Sequence, residues 1–344
     1  MLSALVARSG ETQHRWSDAD ASFVQATLAT TPEAAAEALP LRNAAGQVIA
    51  GDIRLDNRNE LHAALGVAHG DRAAMGDGAL VLAAYSRWGM DCATHLLGDF
   101  AFAIWDPATR RLICFSDSYA MRPLFHHFDG KRFVFASAPQ LIHAAGVTVR
   151  PNLDKFAALA GPGALGLFAD ESWYADIGFL GGGMALVVDR QGVQPRRYWE
   201  PARGAPLRFA DDCAFREAFR PVLFDAVRSR LRGNAPVTAL LSGGLDSSSV
   251  VAVAAKLLER DNRQLDVLSV VLPDEKDAIL TDEREYIDLF RAFPNIRINH
   301  VIAPGKGPFS DLDAFDWGNG PLHTSRHYLY ADMARQCAGL GSTI

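Results

Sequence analysis

Between Thr238 and Val251 the chain passes from an apolar stretch, through two glycines flanked by hydroxyls and a carboxylate, into a second apolar stretch. The turn reads Ser242-Gly243-Gly244-Leu245-Asp246-Ser247-Ser248. Gly243 and Gly244 allow a tight bend and close approach to a ligand, and a helix starting there points unpaired N–H groups and a positive dipole end at an anion. Ser242, Ser247 and Ser248 add hydroxyl donors. Asp246 repels phosphate unless a cation lies between them, so it predicts bound magnesium with Asp246 as its ligand. The chemistry expected is the gripping of a nucleotide's phosphates. No lysine lies between Ser242 and Ser249, which separates this turn from the G-x-x-x-x-G-K-[ST] loop that reaches a terminal phosphate with one.

The flanking elements must hold that turn. After it, Val250, Val251, Ala254, Leu257 and Leu258 recur on one helical face before Glu259, Arg260 and Asp261. A strand is expected before the turn and another over Val267–Leu272, with a helix over Asp212–Leu231. Strand, helix, strand is a parallel α/β unit, whose ligands lie beyond the carboxyl ends of the strands. Leu240 and Val270 then flank an adenine or ribose. Tyr328–Leu340 reads as a further helix, and Gly341–Ile344 as the start of another strand.

Upstream, the period changes from helical to strand-like. Phe100, Phe102 and Ile104 alternate with Ala101, Ala103 and Trp105, Asp106-Pro107 turns the chain, and Leu112–Phe115 returns. Leu124–Phe128 and Phe133–Ala136 flank Asp129-Gly130, a type I′ hairpin signal. Met184–Asp189 turns near Gln191-Gly192, and Gly78–Trp88 has helical spacing. The expected architecture is α/β overall: a layered antiparallel β-rich domain over 1–190, a linker over 191–211, and a parallel α/β domain over 212–344.

A net charge of −6 with interspersed signs excludes a basic nucleic-acid-binding face. There is no signal-peptide or membrane-spanning pattern. Cys92, Cys114, Cys213 and Cys337 lack C-x-x-C spacing and predict thiols in a reducing compartment, the cytoplasm. His126-His127 in a strand face opposite ways and cannot share one metal. His323 and His327 sit four apart, but with no third ligand beside them. Gly161–Gly166 and Gly181-Gly182-Gly183 read as turns.

The Ser242–Ser248 turn resembles the signature of the N-type ATP pyrophosphatases, which split ATP into AMP and pyrophosphate to adenylate a substrate. Following a β-rich N-terminal region, it is most similar to the asparagine synthetase family. Gly98–Asp106 resembles that family's G-x-F-A-F-A-x-x-D strand, Ser116–Phe125 its R-D-x-x-G-x-R-P-L-Y turn, and Phe135-Ala136-Ser137 its F-A-S-E. The resemblance implies a class II glutamine amidotransferase (Ntn-hydrolase-like) domain, then an adenine nucleotide alpha hydrolase-like ATP pyrophosphatase domain using ATP and Mg2+. Asp282-Glu283-Arg284-Glu285 is similar to the family's acidic segment, either a solvated helix start or a neighbour of magnesium.

The glutamine machinery matches poorly. The family nucleophile is a cysteine after the initiator methionine, and here residue 2 is Leu2. Thr27 stands where the family clamps the glutamine carboxylate with arginine, and Ala50 where an asparagine precedes the oxyanion Gly51. Gly51 and Asp77, the latter matching the acid for the glutamine amine, remain as vestigial positions. This pattern is similar to beta-lactam synthetase and lasso peptide macrolactam cyclases, in which an amine of the substrate attacks the adenylated carboxylate. The expected function is ATP-dependent amide formation on a small-molecule or peptide carboxylate, as a homodimer or with a protease and precursor peptide in the cyclase case. The alternatives are a glutamine-hydrolysing asparagine synthetase with a misassigned N-terminus, or a non-catalytic nucleotide-binding remnant. Measured against the family, both ends look truncated, and no catalytic residue is assignable.

Overall fold

The structure is a computed structural model that describes residues 13–161, 163–201, 204–272, 282–312, 320 and 324–342. The expectations placed on Leu2 and the N-terminal segment, on His323 and on Thr343-Ile344 lie outside the described residues. The chain divides into two compact units, the first running to Arg203 and the second beginning at Gly204.

In the first unit, β1 (Gln13–Ser17) and β2 (Ser22–Ala26) form a hairpin. A six-stranded antiparallel sheet contains β3 (Leu41–Arg42), β4 (Val48–Leu55), β5 (Gly98–Asp106) and β6 (Arg111–Ser116). A smaller sheet is made of β7 (Phe125–Phe128), β8 (Phe133–Ala136) and β9 (Gly178–Phe179), and the large sheet is completed by β10 (Met184–Asp189) and β11 (Gly192–Arg197). The order in the large sheet is β11-β10-β6-β5-β4-β3. β11 pairs with β10 from Gly192↔Asp189 to Arg197↔Met184, so the sheet reaches into the stretch expected to be a linker over 191–211. Its Pro195 and paired arginines hid it, because a strand on a sheet edge tolerates both.

β5 is buried on both faces, and its alternation of large and small residues shows why. Phe100, Phe102 and Ile104 pack with Phe115 beneath the helix Asp77–Trp88, with Leu80 and Val81 in the same core. Ala101 and Ala103 lie on the other side with Cys114, Leu124 and Leu186. Small residues there admit a second layer. Phe100, Phe102 and Phe115 form a ring series with centroids 5.4 and 5.0 Å apart. Truncating Phe102 to alanine should cost about 3–5 kcal/mol. Burial also pushes the Cys92 thiol up to about 12 and raises that of Cys114, so both act as core residues.

The turn after β6 is built around Asp117, whose carboxylate accepts N–H bonds from Phe100 (3.0 Å), Tyr119 (2.9 Å) and Met121 (3.1 Å). Ala120 stands in this turn at φ 51°, where the similar family turn has glycine. A Cβ in that left-handed conformation costs about 1–2 kcal/mol, partly offset by the smaller entropy of an unfolded alanine. Ala120→Gly is therefore expected to stabilise the unit by up to ~1 kcal/mol, read as a higher urea midpoint. A lower midpoint would show that the turn carries no such strain.

His62, in the helix Arg58–Leu65, is buried and neither ring nitrogen has a hydrogen-bond partner among the described residues. Burial, with Arg58 and Arg72 nearby and only partly balanced by Asp77 and Glu33, holds its pKa below the ordinary 6.5. The unfolded chain then binds the proton more readily, so stability is lost as pH falls through 6.5. His62→Leu should raise stability at pH 7.5 by about 1 kcal/mol by removing unpaired polar atoms. The gain should be larger at pH 5.5, and urea melts of both proteins at the two values would expose an equal gain, which contradicts the assignment.

The second unit has three parallel strands in the order β12-β13-β14, with β12 at Val237–Leu240, β13 at Leu265–Val270 and β14 at Ile296–Val301. The helices Asp212–Arg230 and Leu245–Arg260 share a core with Leu265 and Val267, while the helix His327–Gly339 packs Met333 and Cys337 on Leu268 and Val301. Odd and even residues of β13 thus face different helices, and both faces of the sheet are covered. β13 stops at Val270, two residues before the expected end. Beyond the last helix, the Ser342 hydroxyl meets Thr238 (2.5 Å) and the Pro236 carbonyl (2.9 Å), beside β12.

Candidate functional site

β12 ends at Leu240, and the ladder makes one further bond, from Leu241 N–H to Leu268 C=O (2.9 Å). The chain then turns through Ser242 and Gly243 into the helix Leu245–Arg260, with Gly244 as its cap residue. Gly243 has φ 88°, and a Cβ there would stand 2.7 Å from Cβ of Glu283. Both backbone shape and lack of space demand glycine.

Three of the expected donors are brought together. The Ser242 hydroxyl lies 2.9 Å from that of Ser247, the Ser247 hydroxyl accepts from Ser242 N–H (3.1 Å), and Gly244 N–H points at the Ser242 hydroxyl (3.3 Å). These bonds hold the turn open in one shape. Ser248 is placed one residue further, with its N–H already bonded to Gly244 C=O (3.1 Å). Among the described residues no side chain caps this helix, although an acceptor for its first N–H groups is worth ~1 kcal/mol. Those donors suit an anion. Asp246 is exposed in the first turn, reachable by a cation held between it and phosphate.

Leu240 and Val270 stand at the carboxyl ends of adjacent strands and are 54% and 38% exposed, whereas Leu241 and Leu268 are 1% exposed. Leu245, at the start of the helix, is 87% exposed. Apolar side chains left in water beside a phosphate-type turn form a surface suited to a flat ring. Leu245 was not singled out in the sequence.

The acidic segment resolves into two roles. Burial opposes ionisation of Asp282, but N–H bonds from Leu272 (2.8 Å) and Arg284 (3.0 Å), with the Arg284 guanidinium (3.2 Å), hold its pKa below the usual carboxylate value. Asp282 is a structural acceptor. Glu283 is the acid at the turn, with an Oε2 3.8 Å from where a Cβ on Gly244 would stand. Among the described residues no three His, Cys, Asp or Glu side chains group as a metal site.

In the first unit the positions expected to be vestiges of a glutamine site have partners within the chain. Asp77 is buried and ion-paired with Arg58, and its second oxygen accepts from Leu55 N–H (2.9 Å). It therefore does not stand open to an amine. Gly51 is bonded to Gln25, and Ala50 is buried against Phe23 and Trp105 in the core. His127 bonds the Asp176 carbonyl (2.7 Å), while His126 stacks on Phe133. No helix among the described residues is long and apolar enough to cross a membrane.

With this geometry in hand, comparison with known proteins gives a consistent result. The family model for a glutamine amidotransferase domain matches residues 1–199, and that for asparagine synthase matches 218–302. A protein of Methanocaldococcus jannaschii assigned as glutamine-hydrolysing asparagine synthetase 2 is 32% identical, over 70% of this chain and 46% of the relative. Glutamine-hydrolysing asparagine synthetase 3 of Bacillus subtilis is 30% identical over 54% of this chain and 30% of its own length. An amidase of Gibberella zeae is 29% identical over 54% of this chain and 27% of the amidase. The chain spans less than half the length of these curated relatives.

The turn itself is testable without a ligand. Gly243→Ala should destabilise the second unit by about 1–2 kcal/mol, because it adds a Cβ at positive φ. It should also displace Glu283. Unchanged urea stability would mean that the turn does not hold this conformation in solution.

Proposed function

The chain belongs to the asparagine synthetase family, and from that premise we propose that its second unit uses ATP to activate a carboxylate for attack by an amine, forming an amide. The observation that carries this reading is the uncapped helix start at Gly244, set beside exposed Leu240 and Val270 at the strand ends. Adenine would lie on the apolar surface and the phosphates against the turn.

In the proposed first step a carboxylate oxygen of the substrate attacks the α-phosphorus, the bond from that phosphorus to the bridging oxygen breaks, and pyrophosphate leaves. The amine nitrogen then forms a bond to the acyl carbon, AMP leaves, and the nitrogen gives up a proton. The residues here bind and position. N–H groups of the helix start and the hydroxyls of Ser242, Ser247 and Ser248 would take up charge developing on the pyrophosphate, a contribution that grows as the reaction proceeds. Asp246 would hold magnesium, which when bound offsets charge between the α- and β-phosphates. Glu283, across Gly243, is the acid nearest the turn and a second candidate for that role.

For the source of the amine, the first unit favours one carried by the substrate, as in closure of a lactam, over ammonia released from glutamine. Ala50 presents a methyl group where an oxyanion donor is needed, and Asp77 and Gly51 already have partners. The carboxylate substrate would be a small molecule or a peptide.

Asp246→Asn keeps the shape of the side chain and removes its charge. Magnesium-dependent ATP binding should weaken about tenfold, ~1.4 kcal/mol, with little change in the absence of magnesium. Calorimetric titrations of both proteins with and without the metal would exclude Asp246 from the site if the affinities matched.

A further inference from the structure

Gly51 lies on β4 just past the part of that strand that β3 covers, since β3 pairs only with Val48 and Ile49. Its N–H and C=O face an edge where no strand among the described residues is hydrogen-bonded to it. Gln25 fills that edge with its side chain: Oε1 accepts from Gly51 N–H at 2.7 Å and Nε2 donates to Gly51 C=O at 2.5 Å. A primary carboxamide is the small group that offers an acceptor and a donor side by side, in the spacing one residue's backbone requires. The receiving position is rigid, because a Cβ on Gly51 would stand 2.5 Å from both the Ala101 oxygen and Cβ of Phe102.

We propose that Gln25 is a built-in pseudosubstrate: its carboxamide occupies, on Gly51, the place of a glutamine carboxamide and closes the amidotransferase-like site to free glutamine. Elsewhere in the unit, two further polar positions are also satisfied by the chain. Arg58 puts a cation on Asp77, and Glu37 puts a carboxylate on the N–H groups of Gly78 (3.0 Å) and Ala79 (2.7 Å). The hydroxyl of Thr27, two residues from Gln25, is buried with no hydrogen-bond partner among the described residues.

This inference concerns the first unit alone and stands or falls separately from ATP use by the second. The test is chemical rescue of Gln25→Gly with propionamide, which matches the vacated side chain atom for atom and carries no charge, against propionate as control. The variant should melt below the wild type, propionamide at high millimolar concentration should raise its melting temperature and shift the Gly51 amide resonance, and propionate should do neither. The wild type should respond to neither compound and release no glutamate from glutamine. A folded variant unresponsive to propionamide would overturn the proposal, leaving Gln25 as a seal on a sheet edge, and so would equal stabilisation of the wild type. Hydrogen exchange on the wild type decides the matter if the variant fails to fold. The Gly51 amide should exchange at least ~10-fold more slowly than an open amide, unaffected by glutamine, whereas fast exchange that glutamine slows would refute self-occupation.

Discussion

Backbone N–H groups at the starts of helices and the edges of sheets must find acceptors, and the two units of this molecule show that demand met and left open. In the first, side chains of the chain do it: Asp117 for the turn after β6, Glu37 for the helix Asp77–Trp88, and Gln25 for the edge of β4. In the second, Asp211 caps the helix Asp212–Arg230, while the helix Leu245–Arg260 begins at a glycine with no capping side chain among the described residues. A helix start that satisfies its own donors has nothing to offer an anion. One that leaves them open at the carboxyl ends of parallel strands does.

The same contrast runs through the packing. β5 is enclosed on both faces, and the first unit's core rests on it: phenylalanines toward the helices, alanines toward the second layer. Such a core is indifferent to glutamine chemistry. Ala50 buries a methyl group in a region shared with Phe23 and Trp105, which extends the apolar packing of β4. In the second unit the apolar faces of the strands are covered along their length but not at their ends, where Leu240, Leu245 and Val270 remain in water. Burial fixes the scaffold in both units, and its local failure marks the candidate site.

Local signals carried most of what the sequence revealed. The Asp129-Gly130 hairpin, the Phe/Ala alternation of β5 and the glycine turn before Asp246 depend on residues close together in the chain, and each is found in place, although the hairpin closes through the four residues 129–132 with only Gly130 at positive φ and not through a type I′ turn. What was hidden depends on distance. Gln25 and Gly51 are 26 residues apart, and Glu37 and Ala79 42 apart, so no period or spacing links them. β14 alternates Ile296, Ile298 and His300 with polar and apolar residues alike, which blurs the strand pattern, and β11 carries a proline. Glu283 and Asp282 are adjacent and chemically alike, yet only the folded chain shows that one accepts backbone bonds while the other covers Gly243.

The partners of Asp77 and Gly51 also bear on what a polar residue in a sequence can show. An unpaired buried carboxylate is expensive. Arg58 offsets that expense at Asp77, so the acid is stable in the fold without a ligand. Polar residues at such positions are held by their own chain, and their presence in a sequence is weak evidence of activity. Their partners are the stronger evidence: a carboxylate facing an arginine of its own chain is part of the scaffold, and a helix start facing solvent is still available for a ligand.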